Sequence, residues 1–295
     1  MKYYLYREIN KFMARLKPSF FIIGERKCGT SSLYRYLVSH PNVLPCRVKE
    51  PNFFSQSRWK ISLGYKKYLS LFPEVEAGKK VALRWIELDE KEKLYEETIY
   101  RKVKDGVKYI TGEASVNTFY YANPKTLKRY LPNAMLILML RNPSERTFSH
   151  YRMLQRFKAE GRKTIPLTTF EEDVKLAIAA VNNGGESAFL SPSVYSKKLP
   201  KWLETFGSKQ LHIIPTERML VGESALEEMN KITDLLSIPK HDFVQVINTR
   251  HNAAVPAEMP KETKELLDHF FEPYNKELND LIEKNYASNH HAFLR

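Results

Sequence analysis

The chain has 295 residues, 43% hydrophobic and 12% aromatic, enough apolar material to bury a full core and to exclude a disordered polymer. Its 47 Lys and Arg against 34 Asp and Glu leave +13, a balance suited to an anionic partner such as a nucleotide, nucleic acid, acidic glycan or membrane surface. Two cysteines, Cys28 and Cys46, make no disulfide framework, and the longest apolar run (residues 134–140) is far short of the roughly 20 residues that a membrane span needs.

The first 17 residues, MKYYLYREINKFMARLK, carry charge throughout and lack the apolar centre of a secretion signal. They read as a basic extension: either a first surface helix with Tyr and Phe packed inward, or a basic amphipathic helix lying on a membrane. Residues 18–295 show no repeat, low-complexity tract or boundary and are expected to form one domain. Free cysteines and the missing signal point to the cytoplasm, or to the Golgi lumen if an N-terminal anchor has been removed.

Within that span FFII (20–23) predicts a buried strand, bounded by Pro18-Ser19 and Gly24. A helix follows over about 30–39 and stops before Pro41. The charge-dense stretch 77–106 is expected to be a helical excursion on the surface. A second strand is predicted at 134–140, and the RNPSERTFSHYRMLQRF after it opens a helix, with Asn142 as cap, Pro143 at the first position and Glu145 completing a capping box. Residues 156–192 read as a connection with one helix near 168–182. Leu199, Trp202, Leu203 and Phe206 recur at helical spacing and read as core, and LHIIP (211–215) is a third strand before an amphipathic helix over 225–238. Strands alternating with helices predict an α/β fold, a parallel sheet with both faces covered, whose ligands lie at the carboxyl ends of its strands.

The first strand runs into GERKCGTSS. Gly24 and Gly29 let the backbone turn closely around a phosphate, with the N–H groups of Gly29, Thr30 and Ser31 facing it from a helix start. Thr30, Ser31 and Ser32 add hydroxyl donors, and Lys27 a mobile positive charge. An ATP-binding loop would place its Lys where Thr30 stands and a magnesium-binding Asp at a later strand end. Here that strand end is Arg141, with Ser149 eight residues on, so the pattern is two phosphate sites at adjacent strand ends and no metal site. It fits a nucleotide phosphorylated at two separate places.

FFIIGERKCGTSSLYRYLVSHPNV, KEPNFFS (49–55) and LILMLRNPSERTFSHYRM, in that order, resemble the PAPS-dependent sulfotransferases, nearest the heparan sulfate glucosaminyl N- and 3-O-sulfotransferase branch and its bacterial homologues. VYSKKLPKWLETF and LHIIPTERML echo later parts of that family, so the resemblance spans roughly residues 18–285. It implies a three-layer P-loop-type fold and PAPS as the donor, with PAP as product and no metal. The loop Arg26, Lys27, Cys28, Gly29, Thr30, Ser31 and Ser32 would hold the 5′-phosphosulfate, and Arg141 and Ser149 the 3′-phosphate. Tyr195 matches a tyrosine lying along the nucleotide, and Arg250 falls where the family has a late basic loop, though the family's Lys-Gly pair is absent. Glu50 matches the general base and Lys27 would neutralise charge on the departing phosphate oxygen.

Two departures bear on the acceptor. The glucosaminyl enzymes carry His where Asn52 stands, and Lys-Thr where GEASVN has Ala114-Ser115. Asn52 and Glu113 are therefore candidate substrate-binding residues, Glu113 alternatively structural. The acceptor implied is a glycan or other small hydroxylated molecule, with no nucleic-acid partner. Two alternatives remain on the residues alone: a divergent P-loop kinase or NTPase, and a non-catalytic basic polyanion-binding protein. His290-His291 read as solvated, without metal-ligand spacing.

Overall fold

The computed structural model describes residues 14–88, 94–162, 166–219, 222–249 and 257–286. In chain order its strands are β1 (Ala14–Arg15), β2 (Pro18–Gly24), β3 (Val43–Pro45), β4 (Glu74–Val75), β5 (Lys80–Leu88), β6 (Leu94–Lys102), β7 (Ile110–Ala114), β8 (Met135–Leu140) and β9 (Leu211–Pro215). The helices are α1 (Thr30–Ser39), α2 (Arg58–Leu69), α3 (Thr118–Tyr121), α4 (Pro124–Tyr130), α5 (Pro143–Ala159), α6 (Phe170–Asn182), α7 (Leu199–Phe206), α8 (Glu223–Leu235), α9 (Val244–Asn248) and α10 (Lys261–Asn285).

Five strands build one parallel sheet in the order β3-β7-β2-β8-β9. Its central strands are buried along nearly their whole length because helices cover both faces, β2 and β8 with mostly apolar side chains and β7 with Thr111 and Glu113 carried in as well. The pleat sorts β2 and β8 cleanly. Phe21, Ile23, Leu136, Leu138 and Leu140 face one layer with Leu127 of α4, Tyr68 of α2, and Leu199, Trp202, Leu203 and Phe206 of α7. Phe20, Ile22, Ile137 and Met139 face the other, with Leu33 and Leu37 of α1 and Met229 and Ile232 of α8. A third cluster joins Tyr151 of α5 and Phe170 and Val174 of α6 to Phe271 of α10. The core assignment of Leu199, Trp202, Leu203 and Phe206 holds, and each such burial stabilises by about 1.5–3 kcal/mol.

Stretch 77–106 differs from expectation. It is not helical: β5 and β6 pair antiparallel as a hairpin, with Leu83 opposite Ile99 and Leu88 opposite Leu94. Val81, Trp85, Ile86, Tyr95, Thr98, Ile99 and Tyr100 are strand formers, and the charges between them mask a period of two rather than create one of 3.6. Short β1 pairs with β4, and Arg15 reaches the carbonyl of Phe72 at 2.8 Å and the carboxylate of Glu74. Residues 1–13, Arg250 and His290-His291 lie outside the described residues. Among the described residues no helix is long and apolar enough to cross a membrane.

Candidate active site

Strands β7, β2, β8 and β9 end side by side, and the segments leaving them are tied to one another. The Glu25 N–H donates to the Met139 carbonyl (2.8 Å) and the Ser115 N–H to that of Ile22 (3.0 Å). Between Gly24 and the start of α1 the loop is held from beneath. Arg146 Nε donates to the Arg26 carbonyl (3.0 Å), the Thr216 hydroxyl to that of Cys28 (2.9 Å), and the Cys28 N–H to that of Glu25 (3.2 Å). Arg26 itself reaches across to Asn117 Oδ1 at 2.5 Å.

Lys27 and Gly29 both take the left-handed conformation, with φ of 70° and 84°. Gly29 is the N-cap of α1, offers no side chain to it, and no acidic residue lies in the first turn. The first N–H groups of a helix have no intrahelical partner, so this end carries uncompensated donors and the positive pole of the helix dipole. That fits an anionic group, and Gly29 is exposed while Ser31 and Ser32 are half-buried beside it. Cys28 points the other way: it is fully buried, and burial pushes its thiol up to about 12, so it is an inert small residue of the core.

The adjacent strand end carries Arg141, partly exposed, with Nη2 3.3 Å from Glu145 Oε2. Ser149 lies one turn beyond Glu145 on α5, on the same helix face, and is half-buried. Asn142 caps α5 as expected, accepting from the Glu145 N–H at 3.1 Å, and Pro143 fills the first position. The expected capping box is not completed. The Glu145 carboxylate turns to Arg141, and the Asn142 N–H faces Glu217 Oε1 at 3.5 Å. Tyr195 is placed beneath the site rather than along its surface. It is fully buried, donates its hydroxyl to the Arg141 carbonyl (3.1 Å) and lies 3.8 Å from Cys28 Sγ, bridging the two candidate phosphate elements from below.

Glu50 stands on the third side. Its N–H donates to the Ala114 carbonyl at 3.0 Å, which fastens it to the end of β7, and its partly exposed carboxylate accepts from Lys49 Nζ at 2.9 Å. Glu50 and Asn52 both have positive φ, 59° and 50°, on either side of Pro51. Asn52 Nδ2 closes the corner onto the Glu50 carbonyl (3.0 Å), and the Asn52 N–H donates to the Ser115 hydroxyl (3.1 Å). Of the two readings of Glu113, its placement fits the structural one. It is fully buried and accepts from the Tyr68 hydroxyl at 2.7 Å and the Ser115 hydroxyl at 2.9 Å. Burial pushes its carboxyl up to about 7 against those two hydrogen bonds, which favour the anion.

The Sulfotransferase family model matches residues 18–190, more than half of the chain and all the segments just described except Tyr195, β9 and the Thr216 and Glu217 that follow it. The chain belongs to the sulfotransferase family. It is 27% identical to human carbohydrate sulfotransferase 15 over 92% of this chain and 54% of that protein. It is 23% identical to the Drosophila melanogaster bifunctional heparan sulfate N-deacetylase/N-sulfotransferase, over 90% of this chain and 26% of that protein. This sulfotransferase-family chain thus spans about half the length of the carbohydrate sulfotransferase and a quarter of the bifunctional enzyme. A solved sulfotransferase from Alicyclobacillus acidocaldarius, 24% identical, superposes with a TM-score of 0.61 over 92% of this chain and 98% of that one, so the fold is shared.

Several site-building residues escaped the sequence reading. Arg146 is fully buried, donates also to the Phe189 carbonyl (2.7 Å) and Ser193 Oγ (3.1 Å), and sits 4.0 Å from Glu25. Its signal was present: with Pro143, Thr147, His150, Tyr151 and Leu154 it falls on the buried stripe of α5, where a charge marks an internal ion pair. Glu25, Asn117, Tyr68 and Thr216 carry no local signal. Among the described residues no group of three or more His, Cys, Asp or Glu is arranged to hold a metal ion.

Proposed function

We propose that this protein transfers the sulfuryl group of PAPS to a hydroxyl or amine of a carbohydrate acceptor. The observation that carries the reading is the uncapped, acid-free start of α1 at left-handed Gly29, set at a strand end beside a second one that bears Arg141 rather than an acid. Lys27, Gly29, Thr30, Ser31 and Ser32 would hold the 5′-phosphosulfate, with Cys28, whose side chain is buried and whose N–H is engaged by the Glu25 carbonyl, shaping the loop between them. Arg26 is engaged with Asn117 and orients the loop. Arg141 and Ser149 would hold the 3′-phosphate, through side chains because Asn142 already caps α5. Tyr195 positions both elements, and Arg250 remains a proposed late contact. The names of the relatives, a carbohydrate sulfotransferase and a heparan sulfate N-sulfotransferase, support a glycan acceptor. Two unbridged, buried thiols fit a reducing compartment.

The donor supplies a sulfuryl group bonded to a phosphate oxygen. Glu50 removes the proton from the acceptor hydroxyl as its oxygen bonds to sulfur, and the sulfur–oxygen bond to the 5′-phosphate breaks on the opposite side. Lys27 stabilises the charge left on that phosphate oxygen. Proton, electron pair and leaving group are then accounted for: sulfated acceptor, PAP, and a proton held on Glu50.

Calorimetry with PAP and with ATP, each in magnesium and in EDTA, tests the donor. PAP is expected to bind without metal, and Arg141→Ala to weaken it roughly 10- to 100-fold, the worth of a charge-assisted phosphate contact. ATP binding that requires magnesium would overturn the reading. Glu50→Gln is expected to keep PAP affinity while turnover of labelled PAPS onto a glycan panel falls roughly 10²- to 10⁴-fold.

A further inference from the structure

We propose that Glu113 is a positioning residue for Glu50: through the Ser115 hydroxyl and the Asn52 amide, its carboxylate holds the left-handed corner from which Glu50 meets the acceptor. This rests on Glu50 being the base.

The geometry is a relay. Glu113 Oε2 accepts the Ser115 hydroxyl hydrogen at 2.9 Å, and Ser115 Oγ accepts the Asn52 N–H at 3.1 Å. A hydroxyl has one hydrogen and two lone pairs, so giving the hydrogen to Glu113 aims a lone pair at Asn52. From Asn52 the chain of contacts returns to Glu50 through the side-chain amide (3.0 Å). A positive φ at a non-glycine residue costs on the order of 1–3 kcal/mol and persists only where its surroundings over-determine it. Here two such residues flank Pro51, and the bonds to Ala114 and Ser115, on either side of the end of β7, are what hold them.

The state of Glu113 sets the direction of that hydroxyl. Protonated on Oε2, Glu113 turns a hydrogen of its own toward Ser115 Oγ and the Ser115 hydrogen loses that acceptor; protonated on Oε1, it disturbs the Tyr68 hydroxyl instead. The groups facing Glu113 are Tyr68 from α2, Cys46 and Glu50 from the segment after β3, and Ser115 at the end of its own strand. Tyr68 and Cys46 are buried and held neutral well above physiological pH, and the cation of Lys49 is engaged by Glu50. Burial pushes the Glu113 carboxyl up to about 7, so its charge, and with it the corner, responds to pH changes around neutrality.

The test uses full-length protein labelled with ¹⁵N-asparagine and δ-¹³C-glutamate, titrated from pH 5.5 to 8.5, as wild type, Glu113→Gln and Ser115→Ala. In wild type the Asn52 amide is expected to shift with the same midpoint as the Glu113 carboxyl. In Ser115→Ala the carboxyl still titrates but the Asn52 amide no longer follows it, and in Glu113→Gln the amide is flat. In turnover of labelled PAPS onto desulfated heparin, Glu113→Gln is expected to lose roughly 10- to 100-fold in kcat, as a slightly misaimed base does, together with the inflection near pH 7, while PAP affinity stays within about twofold. An Asn52 amide indifferent to Glu113, or a Glu113→Gln enzyme with wild-type kcat and pH profile, would overturn the proposal. The coupling measurement needs neither donor nor acceptor, whereas a wild type unable to bind PAP would sink the donor assignment instead.

Discussion

At Gly29 the backbone turns to φ 84° with the Met139 methyl 3.3 Å from where a Cβ would sit. Any L side chain there meets a strained conformation, and the Met139 methyl has to give way by a few tenths of an ångström, so the strain falls on the backbone at the start of α1. Gly29→Ala is expected to cost about 1–2 kcal/mol in denaturant unfolding and to weaken PAP roughly tenfold or more, read by calorimetry on the folded variant. Unchanged PAP affinity would mean that the α1 amides do not face the donor. Beneath the loop, Glu25 and Arg146 form a buried pair whose charges lie 4.0 Å apart, and burial raises the Glu25 carboxyl even against Arg146. Such a pair adds little net stability. Its place under the Arg26 carbonyl makes it a device for fixing the loop's shape.

Among the elements, the β5–β6 hairpin stands outside the five-stranded sheet. It pairs with itself as its own two-stranded sheet, and its base is already closed: the Val103 N–H donates to the Lys79 carbonyl at 2.9 Å and the Gly78 N–H to that of Val103 at 3.0 Å. A two-residue Asn-Gly turn in place of residues 80–102 is therefore expected to leave PAP affinity within about twofold, since loop length alone changes closure entropy by only tenths to about 1 kcal/mol. Calorimetry checks this, and lost PAP binding would show that the hairpin braces the donor site. The hairpin was also the element that sequence misread. Helix α1, strand β8, the Asn142 cap and α7 were legible because each is written in an unbroken period bounded by Gly, Pro or Asn. In residues 77–106 charge density spoke louder than the weaker alternation beneath it.

For the protein as a whole the net charge of +13 has a kinetic consequence. Exposed cations act over about a Debye length, near 10 Å at 0.1 M salt and 3 Å at 1 M, so an acidic acceptor of the proposed kind would be drawn in at low salt and much less at high. KM for a sulfated or carboxylated acceptor is expected to rise several-fold between roughly 0.05 and 0.5 M salt, with kcat nearly constant. A neutral sugar acceptor assayed in parallel should show little change. Equal salt dependence for both would place the effect at the donor site.

What could be read in the linear chain was whatever is encoded within about one turn or strand: the glycine-flanked strand-to-helix turn at 24–32, the cationic strand end at Arg141, and the parallel α/β order of elements. What the tertiary structure settled lies in contacts between distant residues. Arg146 supports Arg26 from 120 positions away, Thr216 supports Cys28 from 188, and Tyr68 meets Glu113 from 45. Tyr195 lies buried under the Arg141 strand end and Glu113 in the interior, because burial is a property of what the other elements cover. Periodicity reports which face of an element turns inward; only the packed sheet shows which polar groups are carried in with it, and what each then meets.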